Sequence, residues 1–427
     1  MNKSFLEKRY KKEKRFIFLG RIAVSLTIIF LVVLLGSIIL RGISGFYTTN
    51  ITIKTSLTQK IIDPTEKRNT KEIYKASWRK ISKQSIYTIL DDYNKNKNIE
   101  KNSRKEKRAF LKLFSRSSEF YIRDYTLKNL NAIGTIVNIT IPASSLVDQY
   151  LKGKIDISVD EGNRPISDMQ VSWVNFMLEN KMIKREFNIN FFSSGDSRNS
   201  EEAGILGAIV GSFLVLVVTI IASFPLGVMS AIYLEEFAPK NRITNLIEVN
   251  INNLAAVPSI VFGLLGLAIF LNFFGLPRSS PLAGGLVLAL MTLPTIIISS
   301  RVAIKSVPPS IREAAMGLGA SKMQSVFHHV VPLAVPGILT GTIIGMARAL
   351  GETAPLLMMG MVAFIVDVPQ GVTDPSTVLP AQIFLWSDQP ERGFEEKTAA
   401  ATIVLLGFLL TMNAFAVFLR YKYERKW

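Results

Sequence analysis

The 427-residue sequence contains no cysteine and only two histidines, His328 and His329. The first absence excludes a disulfide framework, thiolate ligands and a cysteine nucleophile, so any portion outside the cytoplasm must hold its fold without covalent staples. The adjacent histidines have no carboxylate or cysteine at ligand spacing and read as surface or packing residues; no metal, no cofactor and no catalytic residue is assigned. No G-x-x-x-x-G-K-[ST] stretch occurs, so the chain does not cradle nucleotide phosphates in a P-loop, and any ATP energy has to come from a separate ATPase. Negative charge is also scarce, with 33 Asp and Glu against 50 Lys and Arg. In a soluble protein that excess would suggest nucleic acid. Here the basic residues crowd the flanks of apolar runs and one long hydrophilic segment, so membrane topology explains most of it.

What the sequence has is apolar length: 48% hydrophobic residues and a mean hydropathy of +0.29. Six runs, at about 22–40, 205–234, 243–270, 282–303, 335–365 and 399–419, are long enough to cross about 30 Å of hydrocarbon. Residues 1–21 carry Lys3, Lys8, Arg9, Lys11, Lys12, Lys14, Arg15 and Arg21 against Glu7 and Glu13. The first run ends at Arg41 with no small-residue cleavage site, so it reads as a retained span, 22–41, with a cytoplasmic N-terminus. Residues 42–200 then lie outside, and the basic tail 421–427 returns to the cytoplasm. The expected fold class is a mostly α, polytopic membrane protein of six transmembrane helices, with a small α+β extracytoplasmic domain between spans 1 and 2. Alternating runs predict strands at 49–53, 136–141, 155–159 and 187–191, and Tyr74, Trp78, Ile81 and Ile89 recur near helical spacing. The Lys/Asn/Glu-rich run 94–107 reads as a solvated face or loop. In the core, 201–420, Pro225, Pro258, Pro294, Pro336 and Pro355 interrupt the spans and should face protein or water. Gly337, Gly341 and Gly345 form one close-packing face, read as intramolecular packing rather than a homodimer seam.

Between two apolar runs lies a stretch too polar to cross a bilayer, within a loop spanning 304–334. Ser310 and Glu313 fit an S-x-x-E capping box, Gly319 ends that helix, Ser321 caps a second short helix, and Pro332 stops it. Farther on, Arg348 and Glu352 stand four residues apart ahead of Pro355. A charge at that depth is costly unless paired or wet, so the two are either a structural ion pair or part of a path for a polar or anionic solute. The planar guanidinium suits an oxyanion, and backbone opened at 351–355 could add N–H donors.

The spacing Glu313-Ala-Ala, Gly319, Pro332 resembles the EAA loop of ABC-importer permeases. Tyr233-Leu-Glu-Glu-Phe-Ala-Pro-Lys240, Asn252-Asn-Leu-Ala-Ala-Val-Pro-Ser259 and Ala347-Arg-Ala-Leu-Gly-Glu-Thr-Ala-Pro355 are similar to the PstA family of phosphate-specific ABC permeases, over about 200–420. Residues 42–200 resemble the N-terminal extension of a long subgroup. The resemblance implies a type I importer permease core that carries phosphate. It further implies docking of a PstB-like ATPase through Glu313, Ala314, Ala315, Gly319 and Pro332. Its remaining implied partners are a second, PstC-like permease and an extracytoplasmic PstS-like phosphate-binding protein. Two departures stand out: His329 and Val331 replace Ile and Leu of the EAA pattern, and Ile298 and Arg301 occupy the places of an Arg-x-x-Glu in shorter members. Carry-over of a substrate path is therefore limited to Arg348 and Glu352. An ion-coupled secondary transporter also uses broken helices, but needs no two-helix cytoplasmic loop. A membrane sensor with an extracytoplasmic ligand domain would need a cytoplasmic output domain, and none is evident.

Overall fold

The computed structural model describes residues 3–64, 66–99 and 102–423. The end of the expected tail, 424–427, lies outside the described residues, as do the side chains of Lys3 and Lys8 in the basic flank. The first span is part of one long helix, Lys3–Ile43, which takes in the basic segment as well. Its apolar surface is open along almost its whole length, and its packing partner is the last helix, Gly393–Tyr423.

The hydrophilic domain is built on a three-stranded antiparallel sheet in the order β2-β1-β3, with β1 Tyr47–Ser56, β2 Ile136–Pro142 and β3 Ile183–Phe187. Along β1 every second residue from Thr49 to Thr55 is buried, the period-2 signature of a sheet with one covered face. Ile51 and Ile53 lie opposite Ile141 and Ile139 and join Trp78, Ile81, Leu90, Phe110 and Trp173 in one apolar core. Helix Trp78–Lys97 buries Trp78, Ile81, Ile86 and Ile89, as the helical spacing predicts, whereas Tyr74 sits on a preceding short helix and is exposed.

Two strands expected from sequence do not form. The 155–159 run is irregular, because only Ile155 finds cover while Ile157 and Val159 stay exposed. The 187–191 run stops being a strand at Phe187, where the Asn188 side chain accepts from the Phe191 N–H and starts the helix Ile189–Ser193. The 94–107 run is also more ordered than expected, since it contains the end of one helix and the capped start of Arg104–Leu111.

A buried ionic seam fastens this domain to the last helix. The Lys152 ammonium meets Asp148 at 2.6 Å and Glu396 at 2.8 Å, with Lys152 and Glu396 side chains only 4% and 3% exposed. Lys154 reaches the same Glu396 at 2.6 Å, and Gln149 Nε2 donates to it at 2.8 Å. Asp148 in turn accepts from the Thr49 N–H and hydroxyl, which ties the seam to β1. Beside it the Trp386 indole N–H donates to Asp196 at 2.9 Å, while burial pushes the Asp196 carboxyl above its usual range.

Among the described residues, five helices are long and apolar enough to span a membrane, and a sixth span results if Arg242–Ala255 and Ser259–Phe273 count as one bent by 101°. The bend falls at the residues ending in Pro258, so the expected 243–270 run is a broken element and not a straight span. Helix Pro281–Lys305 is central and packs on Leu206–Ile232 and Val331–Gly351. The glycine face of the latter meets it directly: a Cβ on Gly337 would lie 2.5 Å from Ala303 Cβ, and one on Gly341 would collide with Ser299. The stripe is thus an intramolecular seam, as expected.

Candidate functional site

The polar loop between the apolar runs folds as a helical hairpin. Its first helix, Pro309–Gly317, starts on consecutive prolines: Pro308 occupies the N-cap and Pro309 the first turn, with no side-chain cap bond. Ser310 is already inside the helix, so the expected Ser310–Glu313 capping box is not formed. Gly319, at φ +87, makes the turn in a backbone region that side chains with a Cβ disfavour. The second helix, Lys322–Ser325, carries the capping box that the first lacks, between Ser321 and Gln324.

Pro332 does not stop that helix. A π-helical turn, Val326–Val330, leads straight into Val331–Gly351, and Pro332 sits in the first turn of the new segment. Residues Lys322–Gly351 therefore form one apolar rod. Of the residues singled out for docking, Glu313, Ala314 and Gly319 are exposed, Ala315 is buried and Pro332 is half-buried. The tip also presents Leu318, 91% exposed, flanked by exposed Met316 and Met323.

Charge pairs hold the hairpin to the core, and sequence reading missed them. Arg312 donates to Glu236 at 2.7 and 2.9 Å and also to the backbone oxygens of Val307 and Ile304. Arg301 meets Glu235 at 3.3 Å and Glu248 at 2.8 Å. Glu235 and Glu236 lie on the π-helical turn Tyr233–Phe237 that ends the second span. Arg301 is thus paired, with carboxylates from two other elements and not with residue 298. The adjacent acids in Tyr233-Leu-Glu-Glu were the available sequence signal, but the separations of 66 and 76 residues hide their partners.

Arg348 and Glu352 stand where the rod breaks. The helix ends at Gly351, Glu352 is extended, and Ala354–Met358 resumes as a short helix with Pro355 in its first turn. The break thus falls just ahead of Pro355, inside the run 335–365, where that proline was expected to interrupt it. One contact joins the two charges, Arg348 Nε to Glu352 Oε1 at 3.5 Å, with side chains 47% and 20% exposed. So loose a contact leaves most of the guanidinium's donors free for another acceptor.

Residues 223–426 match the family model described as binding-protein-dependent transport system inner membrane component, and residues 3–161 match a domain of unknown function, DUF3333. The probable ABC transporter permease protein YqgI of Bacillus subtilis is 34% identical over 40% of this chain and 58% of its own length. YqgH of the same organism, also a probable ABC transporter permease protein, is 33% identical over 52% of this chain and 71% of its own. The phosphate transport system permease protein PstA of Mycobacterium leprae is 31% identical over 52% and 72% respectively. With its spans, broken helices and polar hairpin, the chain belongs to the inner-membrane permease family of binding-protein-dependent ABC transport systems, alongside PstA proteins.

Proposed function

We propose that the chain is one permease subunit of an ATP-driven importer of inorganic phosphate, forming half of the path and docking a separate ATPase through the hairpin 309–325. The observation that carries this is the hairpin tip. A nearly fully exposed leucine flanked by two exposed methionines, on a loop too polar to span, is an apolar knob in want of a partner's groove. The Arg312–Glu236 pair would pass a push on that knob into the membrane core. Similarity to PstA proteins supports phosphate as cargo, and the free donors of Arg348 suit an oxyanion. The partners implied are a PstC-like permease, PstB-like ATPases and a PstS-like binding protein. We place 1–21 and 421–427 in the cytoplasm, 42–200 outside it and the permease core at 201–420, on the strength of the basic flanks.

The test is ATPase activity of the complex reconstituted with its partners, in wild type and in Leu318→Asp and Gly319→Leu. Both variants should lose substrate-stimulated hydrolysis and retain the membrane fold. Normal stimulation in Gly319→Leu would remove the hairpin from docking.

A further inference from the structure

A cavity of about 1320 Å³ opens between the hydrophilic domain and the segments that precede the second and last spans. Six basic side chains line it: Arg79 and Lys83 from helix Trp78–Lys97, Lys112 and Arg116 from the turn before helix Ser118–Lys128, Arg198 from the segment before the second span, and Arg392 from the loop before the last helix. None of the six takes part in an ion pair or side-chain hydrogen bond among the described residues, and only Arg198 has a ring contact, over Phe364. Cations gathered without counter-charges repel one another, so an anion bound among them relieves that repulsion as well as pairing.

Three acids in the lining, Glu119, Glu201 and Glu391, offset this field only partly. Glu391 is engaged by the Ser200 hydroxyl at 2.7 Å, and burial pushes the Glu201 carboxyl up to about 7, so that it is about half protonated at pH 7. In the wall, the Ser144 hydroxyl is buried with no hydrogen-bond partner. A buried polar atom in that state is uncommon, and this one supplies a donor beside the cations.

Size narrows the ligand. Cavities of about 300–1,000 Å³ hold drug-sized molecules, so this one is far larger than a single tetrahedral oxyanion needs. We propose that the groove binds an extended oligoanion bearing two or more phosphate-type groups, bridged between Arg116 of the hydrophilic domain and Arg392 of the core. The proposal stands on this groove alone and is independent of what the transmembrane core carries. A soluble oligophosphate and an anionic lipid headgroup offer the same chemistry.

The experiment is a calorimetric titration of the full chain, in neutral detergent, with sodium tripolyphosphate and with inorganic phosphate. Tripolyphosphate should bind at least tenfold more tightly than phosphate and weaken as salt rises. Arg116→Ala/Arg392→Ala should weaken it by a further tenfold or more, with an unchanged melting temperature, since both arginines are exposed and unpaired. Absence of binding, equal binding by the double variant, or equal affinity for phosphate overturns the proposal. Repeating the titration in phosphatidylcholine and phosphatidylglycerol discs separates the sources: equal affinity in both supports a soluble ligand. Loss in phosphatidylglycerol alone overturns that assignment in favour of a headgroup.

Discussion

Replacing Arg348 and Glu352 together by Met and Leu separates a structural pair from a path. Their single contact is 3.5 Å long and Arg348 is almost half exposed, so by analogy with solvated i,i+4 pairs its coupling is about 0.3–0.5 kcal/mol. A loss of that size changes the assembled fraction by about twofold at most. If Arg348 instead donates to the passing anion, the missing charge-assisted hydrogen bond is worth about 1.5–3 kcal/mol, or about tenfold to hundredfold in rate. The assay is phosphate uptake by proteoliposomes containing the partner subunits, normalised to assembled complex. The expected outcome is normal assembly with uptake down at least tenfold, and Arg348→Lys should also transport poorly because a point charge does not reproduce the fork. Uptake within threefold of wild type would refute the reasoning and leave both residues as structural.

Two further outcomes concern the hydrophilic domain. Glu396→Leu leaves the Lys152 ammonium, 4% exposed, with Asp148 as its remaining acid and removes the acceptor of Gln149 and Lys154, so it should destabilise the junction by about 1–3 kcal/mol; Lys152→Met/Glu396→Leu should recover part of that loss in a thermal melt, and a single variant as stable as wild type would contradict the seam. Glu201 has its folded pKa raised to about 7 from 4.5, so the folded state holds the proton more tightly: stability is greatest below about 4.5 and falls as pH rises to about 7. Melts of wild type and Glu201→Gln should therefore diverge over that window, by about 3 kcal/mol at most, with the variant the more stable at pH 8, and parallel curves would rule the shift out.

Local chemistry made much of this molecule legible. The turn at Gly319, the cap at Ser321, the β1 and β2 strands and the break before Pro355 all follow from residues within a few positions of each other. Three errors show where such reading fails. Ser310 matches a capping pattern, yet the prolines before it start the helix earlier. Pro332 matches a stop, but the π-helical turn Val326–Val330 just before it shifts the hydrogen-bond pattern and carries the helix through. The 155–159 run alternates like a strand without a covered face to make alternation matter. Contacts that join distant segments were invisible for a different reason: Lys152 and Glu396 are 244 residues apart, and no spacing rule reaches that far.

The passage of the helix through Pro332 has a mechanical consequence. With a stop there, the hairpin would hang from the core on a hinge, and a displacement at Gly319 would be absorbed by the joint. Instead Lys322–Gly351 is a single lever. At 1.5 Å per residue, its 26 steps from Lys322 to Arg348 span about 40 Å, so tilting the hairpin end by a few degrees swings the Arg348 end by an ångström or more.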